Sequence, residues 1–354
     1  MDFPSPSESY ICSLQKNNGR FYREVIMKVG INGFGRIGRL VLKAARGTDM
    51  EFVGINDITD AKTLAHLLKY DSIHGRYPGE VRVDGDKLVV EGKSIPVLAE
   101  KDPAKLPWAS LGAEVILECT GKFTTKEDAS KHIAAGAKKV LISAPAKGHD
   151  GTFILGVNSD QYDKSKHHVV SIGSCTTNCL APVAKVLMDN FGIVKGFMTT
   201  IHAYTADQRL QDAPHKDLRR ARAAALSMVP TTTGAAKAIA ECLPALKGKL
   251  DGVAIRVPTP DASLVDLAVI LEKEATAQQI NEALKKAATS GPLSRTLEYT
   301  EDPIVSIDIV GNPHGSVVDG GLTAAHGNMA KVFAWYDNEW GFSCRMVDMM
   351  RMML

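Results

Sequence analysis

Apolar positions along the chain come in two rhythms. From Met27 to about residue 150, short apolar runs alternate with stretches of helical spacing. "KVGING" reads as a strand, and "RIGRLVLKAARG" as a helix stopped by Gly47. "EFVGIND" is a second strand, and "DAKTLAHLLKYD" a helix with Asp60 as its N-cap. Glycine-punctuated hairpins around "GEVRVDGDKLVVEGKSIPV" follow, then strand "GAEVILECTG", helix "TKEDASKHIAAGA" and strand "KKVLISAP". This alternation predicts a mostly parallel sheet with helices on both faces.

The second half changes rhythm. "GFMTTIHAYT", "GVAIRVPTP", "SLVDLAVILEK", "IVSIDIVG" and "MAKVFAWYD" are longer β-type runs, with helices such as "TAQQINEALKKAAT" between them. They predict an α+β domain with a large antiparallel or mixed sheet. The closing "SCRMVDMMRMML" reads as an amphipathic helix that packs back on the first domain. The expected domains are 27–174, completed by the C-terminal helix 338–354, and 175–337. Residues 1–26 show no sustained periodicity and read as a disordered extension or an upstream start. Their acidic residues Asp2, Glu8 and Glu24 argue against a transit peptide.

Composition narrows the function. The chain has 354 residues, 45% hydrophobic and 23% charged, which suits a soluble two-domain protein. A net charge of +2 gives no bias toward nucleic acid or membrane. No apolar run approaches the ~20 residues of a membrane span. Cys12, Cys119, Cys175, Cys179, Cys242 and Cys344 are thinly spread, without zinc spacing, so no metal is expected and a cytoplasmic location is the simplest reading.

Gly33-x-Gly35-x-x-Gly38 sits between the first strand and the first helix. In that context Gly33 makes the tight turn, Gly35 admits a pyrophosphate and Gly38 lets helix and strand pack. Asp57 lies 19 residues past Gly38, the position of a ribose-binding acid. Its charge would repel a 2′-phosphate, so NAD is favoured over NADP. The first domain is therefore read as a Rossmann dinucleotide-binding domain. The bland alternative is a glycine-rich turn with a capping aspartate.

Cys175 stands where strand "HHVVSIG" meets helix "CTTNCLAPVAKVLMDNFG". Free N–H groups at a helix start favour thiolate and lower a cysteine pKa. Ser174 and Thr176 can hydrogen-bond an anion there, whereas Cys179 lies one turn deeper and reads as packing. That spacing would let Cys179 trap an oxidised Cys175 if the helix start deforms. Pro182 predicts a kink or a strained turn. His202, at the end of "TTIHAYT", is the best-placed base, although a lone histidine is often a satisfied core residue. Arg220, within Arg219, Arg220 and Arg222, lies in a long loop-like segment. Arg256 interrupts an apolar strand, where a charge needs a partner or an anion. Thr233 and Gly234 precede a helix and offer another anion site.

A thiolate, a base and two anion clusters on a dinucleotide fold suit oxidation of an aldehyde through a hemithioacetal and a thioester, with inorganic phosphate as a second acceptor. "INGFGRIGR", "SCTTNCLAP", "TTIHAYTADQ", "TTTGAAKA", "RVPTP" and "WYDNEWGFS", in that order, resemble phosphorylating glyceraldehyde-3-phosphate dehydrogenase from Met27 to the C-terminus. The resemblance implies NAD as cofactor and glyceraldehyde 3-phosphate and inorganic phosphate as reactants. It implies a homotetramer, with no nucleic-acid or membrane partner. It implies Cys175 as nucleophile and His202 as acid/base. Gly33, Gly35, Arg36, Ile37, Asp57, Lys101, Ser143 and Asn338 would hold the cofactor. Thr205 and Arg256 would hold the substrate phosphate, and Ser174, Thr176, Arg220, Thr233 and Gly234 the attacking phosphate or the substrate. Ile172-Gly173 and Phe342 depart from the family's common residues, and Ala213-Pro214 is a mixed signal between the NAD-specific and NADP-using patterns that Asp57 outweighs. The rival enzyme is an erythrose-4-phosphate dehydrogenase, in which water releases a free acid. From another class, the rival is a binding protein with vestigial NAD binding.

Overall fold

The computed structural model describes residues 26–354, and the N-terminal extension anticipated at 1–26 falls almost wholly outside them. Two compact units emerge. The first holds residues 26–152, with Asp163–Ile172 and Met346–Leu354; the second holds Phe153–Tyr162 and Gly173–Arg345.

In the first unit the chain runs β1 (Met27–Asn32), α1 (Arg36–Ala44), β2 (Met50–Asn56) and α2 (Ala61–Lys69). A short ribbon, β3 (Tyr70–Asp71) and β4 (Gly75–Arg76), precedes the meander β5 (Val81–Asp84), β6 (Lys87–Val90) and β7 (Lys93–Leu98). After these come α3 (Trp108–Leu111), β8 (Val115–Glu118), α4 (Lys126–Ala134), β9 (Lys139–Ile142), β10 (Gly151–Thr152) and β11 (Val169–Ser171). Nine strands form one sheet in the order β10-β11-β9-β8-β1-β2-β7-β6-β5. It is parallel from β10 to β7, and β6 and β5 add on antiparallel. The order reverses at β1, and a dinucleotide crevice forms at such a switch point, beyond the carboxyl ends of the strands. Val115, Ile116 and Leu117 have no exposed surface, as expected of a strand covered on both faces. Asp60 caps α2 by accepting from the Thr63 N–H at 2.9 Å.

The second unit carries α5 (Cys175–Phe191), β12 (Ile193–Ala203), β13 (Val229–Thr232), α6 (Ala235–Cys242), β14 (Leu250–Val257) and β15 (Ser263–Leu271). It continues with α7 (Ala277–Thr289), β16 (Leu297–Thr300), α8 (Ser306–Ile309), β17 (Ser316–His326), β18 (Met329–Tyr336) and the start of α9 (Trp340–Met353), whose residues from Met346 onward belong to the first unit. Its seven-stranded sheet runs β13-β14-β12-β15-β18-β17-β16. The sheet is mixed: β12 pairs parallel with β14, and β16 with β17, while the remaining pairs are antiparallel.

Two local expectations are corrected. "IVSIDIVG" holds the one-turn helix α8, not a strand: the Asp308 carboxylate accepts from the Val305 N–H at 2.8 Å and turns the chain, and Ile309 is buried. The run at the chain's end is a helix but is not amphipathic in its surroundings, since Trp340 to Met350 are buried on almost every side. Helix α5 contains Pro182 and runs on to Phe191.

Candidate active site

Glycine conformation shapes the turn after β1. Gly33 has φ +93°, and a Cβ there would meet the Cys119 and Thr120 backbone at 2.7 Å. A Cβ on Gly38 would collide with the Gly33 carbonyl, so only glycine lets the helix start pack there. Gly35 is different: it caps α1 without a side-chain bond, and nothing lies within 4 Å of its missing Cβ. That open cradle at a helix N-terminus fits a pyrophosphate. Asp57, half-buried, accepts from the Phe34 N–H at 2.8 Å and the Thr59 N–H at 2.9 Å, which ties the acid to the glycine turn. Arg36 is half-buried and its guanidinium bonds Asp71 at 3.0 Å, so its backbone rather than its charge faces the cradle. Ile37 follows in the first turn of α1. Lys101 is exposed after β7, and the Ser143 N–H after β9 donates to the Glu118 carbonyl at 3.0 Å.

Below this turn lies a polar network that sequence reading missed. The Trp108 indole N–H donates to His132 Nδ1 at 3.0 Å, and His132 Nε2 meets Glu118 Oε2 at 3.1 Å. Glu118 also accepts from Asn32 Nδ2 at 2.6 Å and from the Thr120 N–H at 2.8 Å. Asn32 Oδ1 in turn accepts from Asn56 at 2.7 Å. Trp108 and His132 have no exposed surface and Glu118 has 1%. The chain of bonds braces the loops after β1, β2 and β8. Its sequence signal was weak: an asparagine ending each of the first two strands, and a glutamate inside an apolar one.

In the second unit, Ser174 caps α5, accepting from the Thr177 N–H at 3.1 Å, and Thr177 returns a bond to the Ser174 N–H at 3.4 Å. Gly173 precedes the cap at φ +70°, a conformation glycine adopts freely. Cys175 is the first residue of the helix and half-buried. Its Sγ lies 3.4 Å from His202 Nε2. The expected depression of its pKa is overturned: burial pushes the thiol up and outweighs Arg256 and the Thr176 N–H, which pull it down. Cys179 has no exposed surface, and its thiol donates to Ser316 Oγ at 3.6 Å and the Ala334 carbonyl at 3.5 Å.

His202 and Arg256 face each other across the parallel pairing of β12 and β14. Arg256 Nη1 lies 2.7 Å from His202 Nδ1 and 3.0 Å from the Ala203 carbonyl, while Nδ1 is also 2.7 Å from that carbonyl. Burial first, and Arg256 second, lower the imidazole to about 3, so the resting ring is neutral. Tyr336 closes the floor: its hydroxyl bonds Thr176 and Thr200, each at 2.9 Å, and its ring meets His202 edge-on at 5.9 Å. Thr176 thus spends part of its hydroxyl on Tyr336. Asn338 is fixed by Ser263, whose hydroxyl donates at 2.6 Å and accepts the Ala203 N–H at 3.0 Å.

Thr205 and Arg220 meet on one carboxylate. The Thr205 hydroxyl donates to Asp207, and Arg220 Nη1 bonds Asp207 at 2.6 Å. Arg220 Nε also bonds Thr231 at 2.9 Å, and its Nη2 bonds the Thr232 carbonyl at 3.2 Å. Thr233 Oγ1 accepts from the Ala235 N–H at 3.2 Å, and Gly234 caps α6 with open space around it. Arg256 Nε is buried and has no acceptor among the described residues. Asp207, Tyr336 and Ser263 had no stated role at the sequence level. The first two lie inside quoted motifs, while nothing in the sequence marks Ser263.

A dinucleotide-type unit, joined in one chain to a unit bearing a cysteine–histidine pair beside an arginine, belongs to the class of NAD-binding dehydrogenases. Residues 27–126 match "Glyceraldehyde 3-phosphate dehydrogenase, NAD binding domain", and residues 174–338 match "Glyceraldehyde 3-phosphate dehydrogenase, C-terminal domain". Glyceraldehyde-3-phosphate dehydrogenase of Geobacillus stearothermophilus is 60% identical over 325 residues, 91% of this chain and 97% of the relative. The Streptomyces coelicolor enzyme of the same name is 59% identical over 326 residues, and glyceraldehyde-3-phosphate dehydrogenase 1 of Bacillus subtilis 58% over 325, with the same shares covered. The chain belongs to the glyceraldehyde-3-phosphate dehydrogenase family. Among the described residues no helix is long and apolar enough to cross a membrane.

Proposed function

We propose that the chain oxidises and phosphorylates D-glyceraldehyde 3-phosphate to 1,3-bisphosphoglycerate with NAD and inorganic phosphate, in glycolysis or gluconeogenesis. The observation that carries this is the approach of Cys175 Sγ to His202 Nε2 at 3.4 Å, with Arg256 beside the same imidazole. Cys175 adds to the aldehyde carbon while His202 takes the thiol proton and passes it to the former carbonyl oxygen, giving a hemithioacetal on the enzyme and a neutral imidazole again. His202 then withdraws the hemithioacetal O–H proton as the carbon gives up hydride. NAD supplies the hydride acceptor. The product on Cys175 is a thioester, which inorganic phosphate attacks; the C–S bond breaks and the sulfur leaves as the group His202 can reprotonate.

Gly33, Gly35, Arg36 and Ile37 would hold the pyrophosphate, Asp57 the adenosine ribose, and Asn338 the nicotinamide amide. Lys101 and Ser143 complete the cofactor set. Thr205 and Arg256 take the substrate phosphate. Ser174, Thr176, Arg220, Thr233 and Gly234 take the attacking phosphate or orient the substrate. The unsatisfied Arg256 Nε and the open N-terminus of α6 support an anion role. The chain works as a homotetramer: Leu210, Leu218, Leu226 and Met228 expose 73–86% of their surface in one segment, as an apolar contact surface would. Five free thiols among the described residues suit the cytoplasm.

The test is product analysis with and without inorganic phosphate. NADH formation should require phosphate and yield an acyl phosphate, and Cys175→Ser should abolish it. Phosphate-independent turnover to a free acid would overturn the assignment.

A further inference from the structure

Where β15 begins and β18 ends, Ser263 pairs with Tyr336, and Asp261–Ala262 and Asp337–Asn338 flank that last pair. All four flanking residues are buried. Ala262 has φ +65°, a left-handed conformation that a residue with a side chain keeps only where its neighbours hold it. Two bridges do so. On one side, Ser263 Oγ accepts the Ala203 N–H at 3.0 Å, so its own proton goes to Asn338 Oδ1 at 2.6 Å. That sets the amide: Asn338 spends its oxygen on Ser263 and presents N–H donors to whatever it meets. On the other side, the carboxyl group of Asp261 hydrogen-bonds that of Asp337.

Two buried carboxyl groups that share a hydrogen bond cannot both be charged. Asp337 already accepts three N–H groups, from Gly311 at 2.7 Å, Glu339 at 2.8 Å and Trp340 at 2.6 Å, so it is the ionised partner. Burial, and then the charges of Asp337 and Glu339, hold Asp261 far above the usual carboxylate range. Asp261 therefore carries the proton and donates it to Asp337, while accepting from the Ala262 N–H. A carboxylic acid does here what an amide side chain would do.

We infer that Asp261 is a positioning residue for the nicotinamide: by bonding Asp337 it fixes the backbone that leads into Asn338, and so aims the Asn338 amide at the nicotinamide carboxamide. This rests on the reading of Asn338 as the nicotinamide ligand. Ser263 alone fixes one atom of that amide. Asp261 and the three N–H groups on Asp337 fix the chain from which it hangs, tying it to the segment before β17 and to the first turn of α9. Loss of Asp261 is then felt by the nicotinamide half of the cofactor. The adenosine half, assigned to the glycine turn and Asp57, is untouched.

Calorimetric titration of the full-length protein with NAD, and with ADP-ribose, which lacks the nicotinamide, separates the two halves. Asp261→Ala should weaken NAD binding roughly tenfold, the worth of one hydrogen bond, and leave ADP-ribose within about twofold. Asp261→Asn, whose amide donates to Asp337 without needing an added proton, should bind both ligands as the wild type does. Asn338→Ala is the reference and should weaken NAD alone. In ¹³C-aspartate-labelled wild type at neutral pH, a side-chain carboxyl should resonate as the protonated acid, and that signal should vanish in Asp261→Asn. This readout stands whether or not Asp261→Ala folds. Three results overturn the positioning role and leave Asn338 as the nicotinamide ligand: equal losses for NAD and ADP-ribose in Asp261→Ala, full NAD affinity in Asp261→Ala beside a weakened Asn338→Ala, or no protonated aspartate. Full NAD affinity in Asn338→Ala overturns the reading of Asn338 and the inference with it.

Discussion

The indole N–H of Trp108 points at Nδ1 of His132, 3.0 Å away, and that bond fixes the tautomer of a buried ring. With Nδ1 accepting, the ring proton lies on Nε2 and must go to Glu118 at 3.1 Å. The glutamate therefore receives N–H groups from His132, Asn32 and Thr120, each anchored to a different loop or helix of the dinucleotide-type unit. Glu118→Gln places an amide donor against those donors. Leaving buried groups unpaired costs about 1–3 kcal/mol each, so urea unfolding should show a loss of roughly that size. NAD affinity should fall, while alkylation of Cys175 by iodoacetamide keeps its rate. Unchanged stability and affinity would refute the bracing role.

Asp57 serves two tasks on this reading, binding the ribose and holding the Phe34 N–H. Asp57→Ala should weaken NAD binding by roughly tenfold to a hundredfold, the loss of one charge-assisted hydrogen bond at about 1.5–3 kcal/mol. The penalty on NADP should be smaller, since the repulsion of its 2′-phosphate goes too. Titration with both cofactors, followed by calorimetry, checks the ratio.

Ser174 is the cap of the helix that presents Cys175. Ser174→Ala removes the side-chain half of the box, the bond from the Thr177 N–H, and should cost about 1 kcal/mol in unfolding free energy. Because Cys175 is the next residue, the catalytic rate should fall along with stability. Ser174→Asp, which still caps, should recover the stability but not the rate, as it sets a negative charge beside the thiol.

Acid should reveal the buried imidazole. His202 is held at about 3 when folded, against about 6.5 when unfolded. Its folded pKa is depressed, so between these values the unfolded chain binds the extra proton and stability falls as pH falls. The contribution is intact above about pH 6.5 and is progressively lost below it. In urea titrations, wild type should lose up to about 2 kcal/mol more than His202→Asn between pH 7 and pH 5. Equal losses in the two proteins would argue against a neutral, buried His202.

Much of this was visible in the residues. The glycine turn, Asp57, Cys175 at a helix start, and His202 at the end of a β-run are local patterns, and each appears at its expected element. What escaped depends on what surrounds a residue. "IVSIDIVG" alternates like a strand, yet Asp308 captures the Val305 N–H and closes a turn. Strand β17 went unseen because Gly320 and Gly321 interrupt its run, where its register with β18 also breaks. A helix terminus lowers a thiol pKa in isolation, but Cys175 is desolvated as well, and only the packed structure shows which effect is larger. The His202–Arg256 pairing could not be read at all. The two residues lie 54 positions apart and meet through strand register.

That register divides the chain into stretches of unequal tolerance to length change. β12 and β14 run parallel, so a one-residue insertion early in β14 would turn Arg256 to the opposite face of the sheet and put a neighbour opposite His202. Every side chain of the site would still be encoded, yet its arginine would be lost. The pairing does not by itself set the length of the connection between the two strands, but Thr205, Arg220, Thr233 and Gly234 lie in that connection, so libraries built on this scaffold should vary length only away from them while keeping the spacing within each strand fixed.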